Sequence, residues 1–146
     1  MRSRRDRGSA ALFVAIFAPA MIFMAGLVID GGAGLAAKQR AADIAESAAR
    51  AAAGQCDVAT LRDLGDCRVF DSNNDARQAA AQYANNLSGV TWTMAFTRPV
   101  GDARGGFHGV TVTVQIKFQT TLLGIVPKFK ELEVNATAEA IAVTGL

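Results

Sequence analysis

Residues 9–29 read SAALFVAIFAPAMIFMAGLVI and contain no charged side chain. About 20 consecutive apolar residues are what an α-helix needs to cross the hydrocarbon core of a bilayer, so this segment is predicted to be a transmembrane helix. The far end of the segment opens with Asp30. Its near end follows a group of arginines: Arg2, Arg4, Arg5 and Arg7. Because basic residues stay on the cytoplasmic side, the sequence predicts a single-pass protein of the cell membrane with a cytoplasmic N-terminus and an extracytoplasmic C-terminal domain.

A cleaved secretory signal is the alternative interpretation of the same residues. The apolar region of such a signal usually runs for only about 7–15 residues, which is shorter than this segment. Small residues that suit a signal peptidase do follow it, at Ala33, Ala36 and Ala37. Both interpretations export the rest of the chain.

Small side chains recur along one stripe of the predicted span: Ala11, Ala15, Ala18 and Ala25. Small residues allow membrane helices to approach each other closely, so this stripe is predicted to be a helix-packing face. An alanine-rich surface that faces lipid explains the stripe equally well. Asp30, beside Gly31 and Gly32, is predicted to stop the span at the water boundary.

Residues 30–54 are predicted to continue the span as an amphipathic helix in water. Glu46 and Arg50, four residues apart, predict a solvated ion pair on its polar face, and Gly54 is a suitable end. The apolar face follows the helical period. It consists of Ala37, Ala41, Ile44, Ala45, Ala48 and Ala52.

The two cysteines, Cys56 and Cys67, follow this helix and bracket a segment predicted to be a short polar loop. They fall on the side of the membrane where oxidation is expected, so the sequence predicts a disulfide between them. Closing a loop of this size stabilises a small domain by about 3 kcal/mol in the chain-entropy model.

The second half of the chain predicts a short helix that carries residues 76–83 and ends near Gly89, followed by three strands. The strands span residues 90–97, 110–120 and 132–143, and the middle one alternates apolar and polar side chains with the period of a half-buried strand. A turn at residues 99–106 separates the first two. The fold class is therefore α+β, with a long N-terminal helix packed on a three-stranded antiparallel sheet.

Composition and motifs exclude several function classes. The formal net charge is +2, with no long basic stripe beyond the N-terminus, which argues against nucleic acid as a partner. The sequence contains no nucleophile paired with a base, no phosphate loop and no ligand cluster, so no catalytic, cofactor-binding or metal-binding residue and no small-molecule substrate is predicted. His108 is interpreted as a surface residue. The predicted protein is not an enzyme.

The first third of the chain resembles a known family. A basic tail and Gly8 precede the hydrophobic helix, VIDGG follows at residues 28–32, and KQRAAD opens the alanine-rich helix at residues 38–43. This combination closely resembles Tad (Flp) pilus-assembly proteins, particularly the TadG-like and TadE-like sequences of actinobacteria. The resemblance implies a pilin-like structural component of a cell-surface pilus, or of a related type II or type IV secretion filament.

The resemblance also implies a processing site and a set of partners. Prepilin peptidase cuts related pilins after a glycine that matches Gly8, which would leave Ser9 as the new N-terminus. Those pilins carry glutamate at the fifth mature position, where this sequence has Phe13. The implied partners are membrane lipid and other pilus-assembly or pilin-like proteins that contact the N-terminal helix.

The predicted organisation has four parts. Residues 1–8 form a basic cytoplasmic tail, residues 9–29 the transmembrane helix, residues 30–54 the amphipathic helix and residues 55–146 the extracytoplasmic domain. The alternative function is that of a membrane-tethered extracytoplasmic binding module, in which the sheet and its loops recognise a partner and the helix serves as a tether.

Overall fold

The computed structural model describes residues 6–69, 74–85, 88–98, 106–125 and 127–142, with the backbone only at residues 6–9 and 64. Three helices precede three strands, and two short 3-10 turns, Leu123–Ile125 and Pro127–Phe129, connect the last two strands. The elements are α1 (Asp6–Ala53), α2 (Val58–Leu64), α3 (Asn74–Ala84), β1 (Val90–Thr97), β2 (Gly109–Gln119) and β3 (Glu131–Ile141). The α+β class predicted from the sequence is confirmed.

Helix α1 runs for 48 residues, as one helix through the apolar segment and the amphipathic segment that follows it. The predicted apolar face of the second segment is buried at Ala37, Ala41, Ala45, Ala48 and Ala52, and Ile44 is half-buried. Because alanine side chains are short, this face lets neighbouring elements approach the helix backbone closely. On the exposed side, Arg50 and Glu46 form the predicted ion pair.

The sheet has the order β1-β2-β3 and is antiparallel, as predicted. Trp92 lies opposite Val114 and Met94 opposite Val112, so apolar side chains of both strands share one face. The other face is polar and rich in threonine, with the hydroxyls of Thr113 and Thr137 3.0 Å apart. This alternation turns one face of the sheet towards the core and leaves the other in solvent.

The core joins α1, α3 and the three strands. The fully buried valines of β2 (Val110, Val112 and Val114) form one apolar cluster with the alanines of α1 and with Ala76 and Ala80 of α3. Trp92 lies at the edge of this cluster, and its Nε1 donates a hydrogen bond of 2.8 Å to Asn85 Oδ1.

The chain divides into two compact units. One consists of Met1–Leu35 with Gln119–Leu132, and the other of Ala36–Phe118 with Glu133–Leu146. The first contains the apolar half of α1 and the connection between β2 and β3. The second contains the apolar cluster, α2, α3 and most of the sheet.

The segment between the cysteines differs from the prediction, because the expected polar loop contains helix α2. Asp57 provides its N-cap: the side chain accepts a hydrogen bond of 2.8 Å from the Thr60 backbone N–H. Gly65 ends the helix in the left-handed conformation, with φ of 65°. This Asp-to-Gly pattern is a typical start and stop for a short helix.

The predicted short helix is present as α3, but it ends at Ala84 and not near Gly89. The predicted turn at residues 99–106 falls mostly on residues 99–105, which lie outside the described part of the chain.

Candidate functional site

The apolar half of α1 is exposed over most of its surface. Its large side chains between Leu12 and Ile29 are each more than half exposed, from 58% at Ile29 to 78% at Phe23. A helix of a water-soluble domain would turn an apolar stripe towards a core and a polar face towards solvent, and this segment has no polar face. Within the described residues, α1 is the one helix long and apolar enough to cross a membrane, by length and composition.

The residues of the predicted helix-packing stripe all lie on this exposed segment. Ala11, Ala15, Ala18 and Ala25 are exposed and contribute nothing to the buried core of the chain. Gly8 and Ser9, the predicted processing site, lie near the start of α1, where the described structure is limited to the backbone.

Asp30 also makes contacts that are not predicted by its place at the end of the span. It is 3% exposed, and its carboxylate accepts three backbone hydrogen bonds from the connection between β2 and β3. Oδ1 accepts from the Thr121 N–H at 2.8 Å, and Oδ2 accepts from Leu122 at 3.0 Å and Leu123 at 2.6 Å. These N–H groups open the 3-10 turn Leu123–Ile125, so Asp30 caps this turn from a helix 91 residues earlier in the chain.

One turn before Asp30, Gly26 allows the same connection to lie against α1. A Cβ atom at this glycine would stand 2.7 Å from Leu122 Cδ1, closer than real side chains approach each other. An apolar groove of about 330 Å³ lies beside this contact. Its lining consists of Ile22, Phe23, Gly26, Leu27, Leu122, Leu123 and Ile125.

A second cluster of interactions surrounds the disulfide between Cys56 and Cys67, which is confirmed. The backbone next to it is held by a hydrogen bond of 2.9 Å from Asp57 N–H to Arg68 carbonyl oxygen. Val69 and Phe107 exchange two further backbone hydrogen bonds, which bring residues 67–69 beside the start of β2.

This pairing places His108 next to Asp66. The ring Nε2 lies 2.9 Å from Asp66 Oδ2, and Nη2 of the buried Arg68 lies 3.0 Å from the same oxygen. Burial opposes ionisation of Asp66, but hydrogen bonds from Arg68 and His108 and their charges outweigh it and lower the pKa of this carboxyl. His108 is therefore a half-buried hydrogen-bond partner of Asp66, where the sequence suggested a surface residue.

The described residues contain no group of three or more His, Cys, Asp or Glu side chains that could hold a metal ion. Asp66, Arg68 and His108 satisfy one another next to a disulfide, which suits them to holding the chain together. The feature most available to a partner is the apolar segment of α1 with the groove beside it.

Comparison with known families points to the same part of the chain. Residues 8–55 match the family described as putative Flp pilus-assembly, TadE/G-like. This Tad match covers the apolar half of α1, Asp30 and the alanine-rich half, and it supports at family level the resemblance found in VIDGG and KQRAAD. No curated protein and no solved structure gives a significant match to the chain.

Gly26 and Asp30 are the residues of the Tad match whose contacts the sequence alone does not predict. A signal was present, since Gly26, Asp30, Ala37 and Ala41 follow one another at helical intervals of four and seven residues. That spacing indicates a covered face. It does not indicate which distant residues cover it.

Proposed function

We propose that this chain is a structural component of Flp pilus assembly, or of a related secretion filament, and that it acts through its N-terminal helix. The observation that carries the proposal is that the matched residues 8–55 coincide with a helix whose first half exposes apolar side chains over most of its surface. A membrane or a bundle of similar helices would cover those side chains.

The proposed mechanism is close packing of α1 against other helices through Ala11, Ala15, Ala18 and Ala25. Their exposure makes this stripe accessible to a partner, and the small side chains permit short distances between helix axes. The partners are pilus-assembly or pilin-like proteins in the membrane or filament, and lipid surrounds the remaining faces.

The proposed orientation leaves residues 1–8 in the cytoplasm and residues 55–146 outside it. The arginines before the span favour this direction. The disulfide between Cys56 and Cys67 supports it independently, because disulfides persist in oxidising compartments. Protease added to intact cells should then digest the C-terminal domain, whereas a fully protected domain would contradict the proposed orientation.

The helix-packing proposal is tested by Ala15→Leu with Ala18→Leu. Bulky side chains on the stripe should abolish surface piliation and co-purification with other assembly components, while Trp92 fluorescence stays native. Ala20→Leu adds one bulky side chain on the opposite, exposed side of the helix and should leave assembly intact. Unchanged assembly in the double variant would reject helix packing and favour a binding module that the helix tethers.

Processing after Gly8 is a separate proposal, supported by the start of the family match at this glycine. Mass spectrometry of the mature protein should find Ser9 at the N-terminus. A chain that retains its arginines would instead be a permanent anchor, and a chain that begins after Ala33 would contradict the membrane assignment.

A further inference from the structure

The connection between β2 and β3, residues 120–130 with residue 126 outside the described part, carries apolar side chains that its own unit leaves exposed. Ile125 is 76% exposed, Phe129 43% and Leu123 37%. We propose that this connection inserts into the outer interface of the bilayer, as a second membrane anchor beside α1. The inference rests on the membrane placement of α1 in the proposed function.

The length of the span carries the argument. An α-helix rises about 1.5 Å per residue, so residues 9–29 match a hydrocarbon core of about 30 Å. Residues 9–21 would rise only about 20 Å, which is too short to cross it. The bilayer must therefore also surround the turns that follow residue 21.

Those turns are the ones that the connection contacts. Leu122 lies on Gly26, and Leu122, Leu123 and Ile125 line a groove with Ile22 and Leu27. The groove residues of α1 lie within about 10 Å of the outer end of the span. A segment that packs on them is held at the same depth, so lipid that surrounds this part of α1 also meets the connection.

Five N–H groups of the connection satisfy the condition that a lipid environment imposes. Amide groups without partners are very unfavourable where water is scarce. Asp30 accepts from Thr121, Leu122 and Leu123, and the Thr120 and Ile125 N–H groups bond to the carbonyl oxygens of Lys130 and Leu122, respectively. The described N–H groups at these five positions therefore need no water.

The end of the connection contains residue types that are typical of protein segments at a membrane–water interface. Phe129 stands between Lys128 and Lys130, and all three are exposed. Lysine stems lie along apolar surface while their ammonium groups reach lipid phosphates, and aromatic rings favour the same depth. The apolar groove lined by Leu122, Leu123 and Ile125 is open to an acyl chain, so the partner that fits both parts of the connection is bilayer lipid.

The test measures the membrane depth of a fluorophore on the full chain in phospholipid vesicles at a low protein-to-lipid ratio. Ile125→Cys is labelled with an environment-sensitive dye while Cys56 and Cys67 stay oxidised. Brominated phospholipids quench from inside the bilayer, and iodide quenches from water. Phe17→Cys provides the reference within the span, and Thr91→Cys, on the exposed face of β1, provides the reference in water.

Insertion predicts that the Ile125 label is blue-shifted, quenched by lipid brominated near the headgroups, and at least several-fold less sensitive to iodide than the Thr91 label. If the Phe17 label is quenched by lipid and the Ile125 label behaves like Thr91, the insertion proposal is wrong and the span stands. If neither Phe17 nor Ile125 is quenched by lipid, the membrane placement itself is wrong. An Ile125 label shielded from both quenchers would mean that protein covers the connection, which also overturns the proposal.

Discussion

Single residues of α1 decide how the β2–β3 connection is held. Gly26 provides the space for Leu122, and Asp30, one turn later, provides the acceptor for three N–H groups. Neither role depends on hydropathy: one requires the absence of a side chain and the other a short carboxylate. Both therefore make predictions for individual substitutions.

Replacing Gly26 with valine should displace the connection. The new Cβ would stand 2.7 Å from Leu122 Cδ1 and 3.0 Å from Leu122 Cβ, so the Leu122 side chain must shift. Amide hydrogen exchange at Thr121, Leu122 and Leu123 should become about tenfold faster, as expected when local opening becomes easier. Gly31→Val is the matched control, because no atom lies within 4 Å of a Cβ atom there. Equal exchange in the two variants would contradict the close contact.

Removing the carboxylate by Asp30→Ala should accelerate exchange at the same three amides, since they lose their acceptor in a position that water reaches poorly. Asp30→Asn keeps one acceptor oxygen, so its amide exchange rates should lie between those of the alanine variant and those of the native protein. Asp43→Asn changes an exposed carboxylate on the same helix and controls for charge. Unaltered exchange in Asp30→Ala would show that these hydrogen bonds do not hold the connection.

Helix α2 and the disulfide directly follow the C-terminal end of α1. The cysteines lie 11 residues apart in sequence, with α2 between them, and Cys67 belongs to the apolar cluster. A seven-residue helix forms poorly without support, so the cap at Asp57 and the disulfide act together on α2.

The double substitution of Cys56 and Cys67 by alanine should lower the free energy of unfolding by about 3 kcal/mol, because the unfolded chain regains the freedom that the closed loop removes. Thermal unfolding in detergent, followed by Trp92 fluorescence, measures this change. A reductant should lower the unfolding midpoint of the native protein and leave that of the variant unchanged. A native midpoint that ignores reductant would contradict a stabilising role for the disulfide.

For the whole molecule, the loss of folding stability at acid pH depends on carboxylates with lowered pKa values. Hydrogen bonds from the Thr60 hydroxyl and backbone N–H lower the pKa of Asp57, and Arg68 and His108 lower that of Asp66 against the effect of burial. Both groups bind fewer protons in the folded than in the unfolded chain, where an aspartate has a pKa of about 3.9. Their stabilisation is complete above that value and is lost as the pH falls through the lowered pKa values.

Asp57→Asn should therefore flatten the decrease in unfolding midpoint between about pH 5 and pH 2, while asparagine still caps α2. The measurement is the Trp92 unfolding midpoint across that range. Asp63→Asn removes a charge from the same helix without changing the cap and controls for net charge. A profile for Asp57→Asn that is identical to that of the native protein would contradict this contribution.

Local patterns in the sequence account for the elements of the fold and for part of the candidate site. The uncharged run of residues 9–29, the alanine period of the following helix and the alternation in the strands predict α1 and all three strands, because each pattern reports which side of a segment avoids water. The two cysteines predict the disulfide, since they allow one pairing within the chain and lie on the side of the membrane where oxidation is expected.

These local patterns do not predict contacts between residues that are distant in the sequence. Periodicity shows that a face is covered but not which residues cover it. From the sequence, Asp30 is therefore interpreted as a boundary residue. Only folding brings the N–H groups of residues 121–123 to its carboxylate. The same holds for Leu122 on Gly26 and for His108 beside Asp66, 42 positions apart in sequence. Hydrophobicity is a property of each segment and can be seen in the sequence. Hydrogen-bond partners depend on the distances that folding creates.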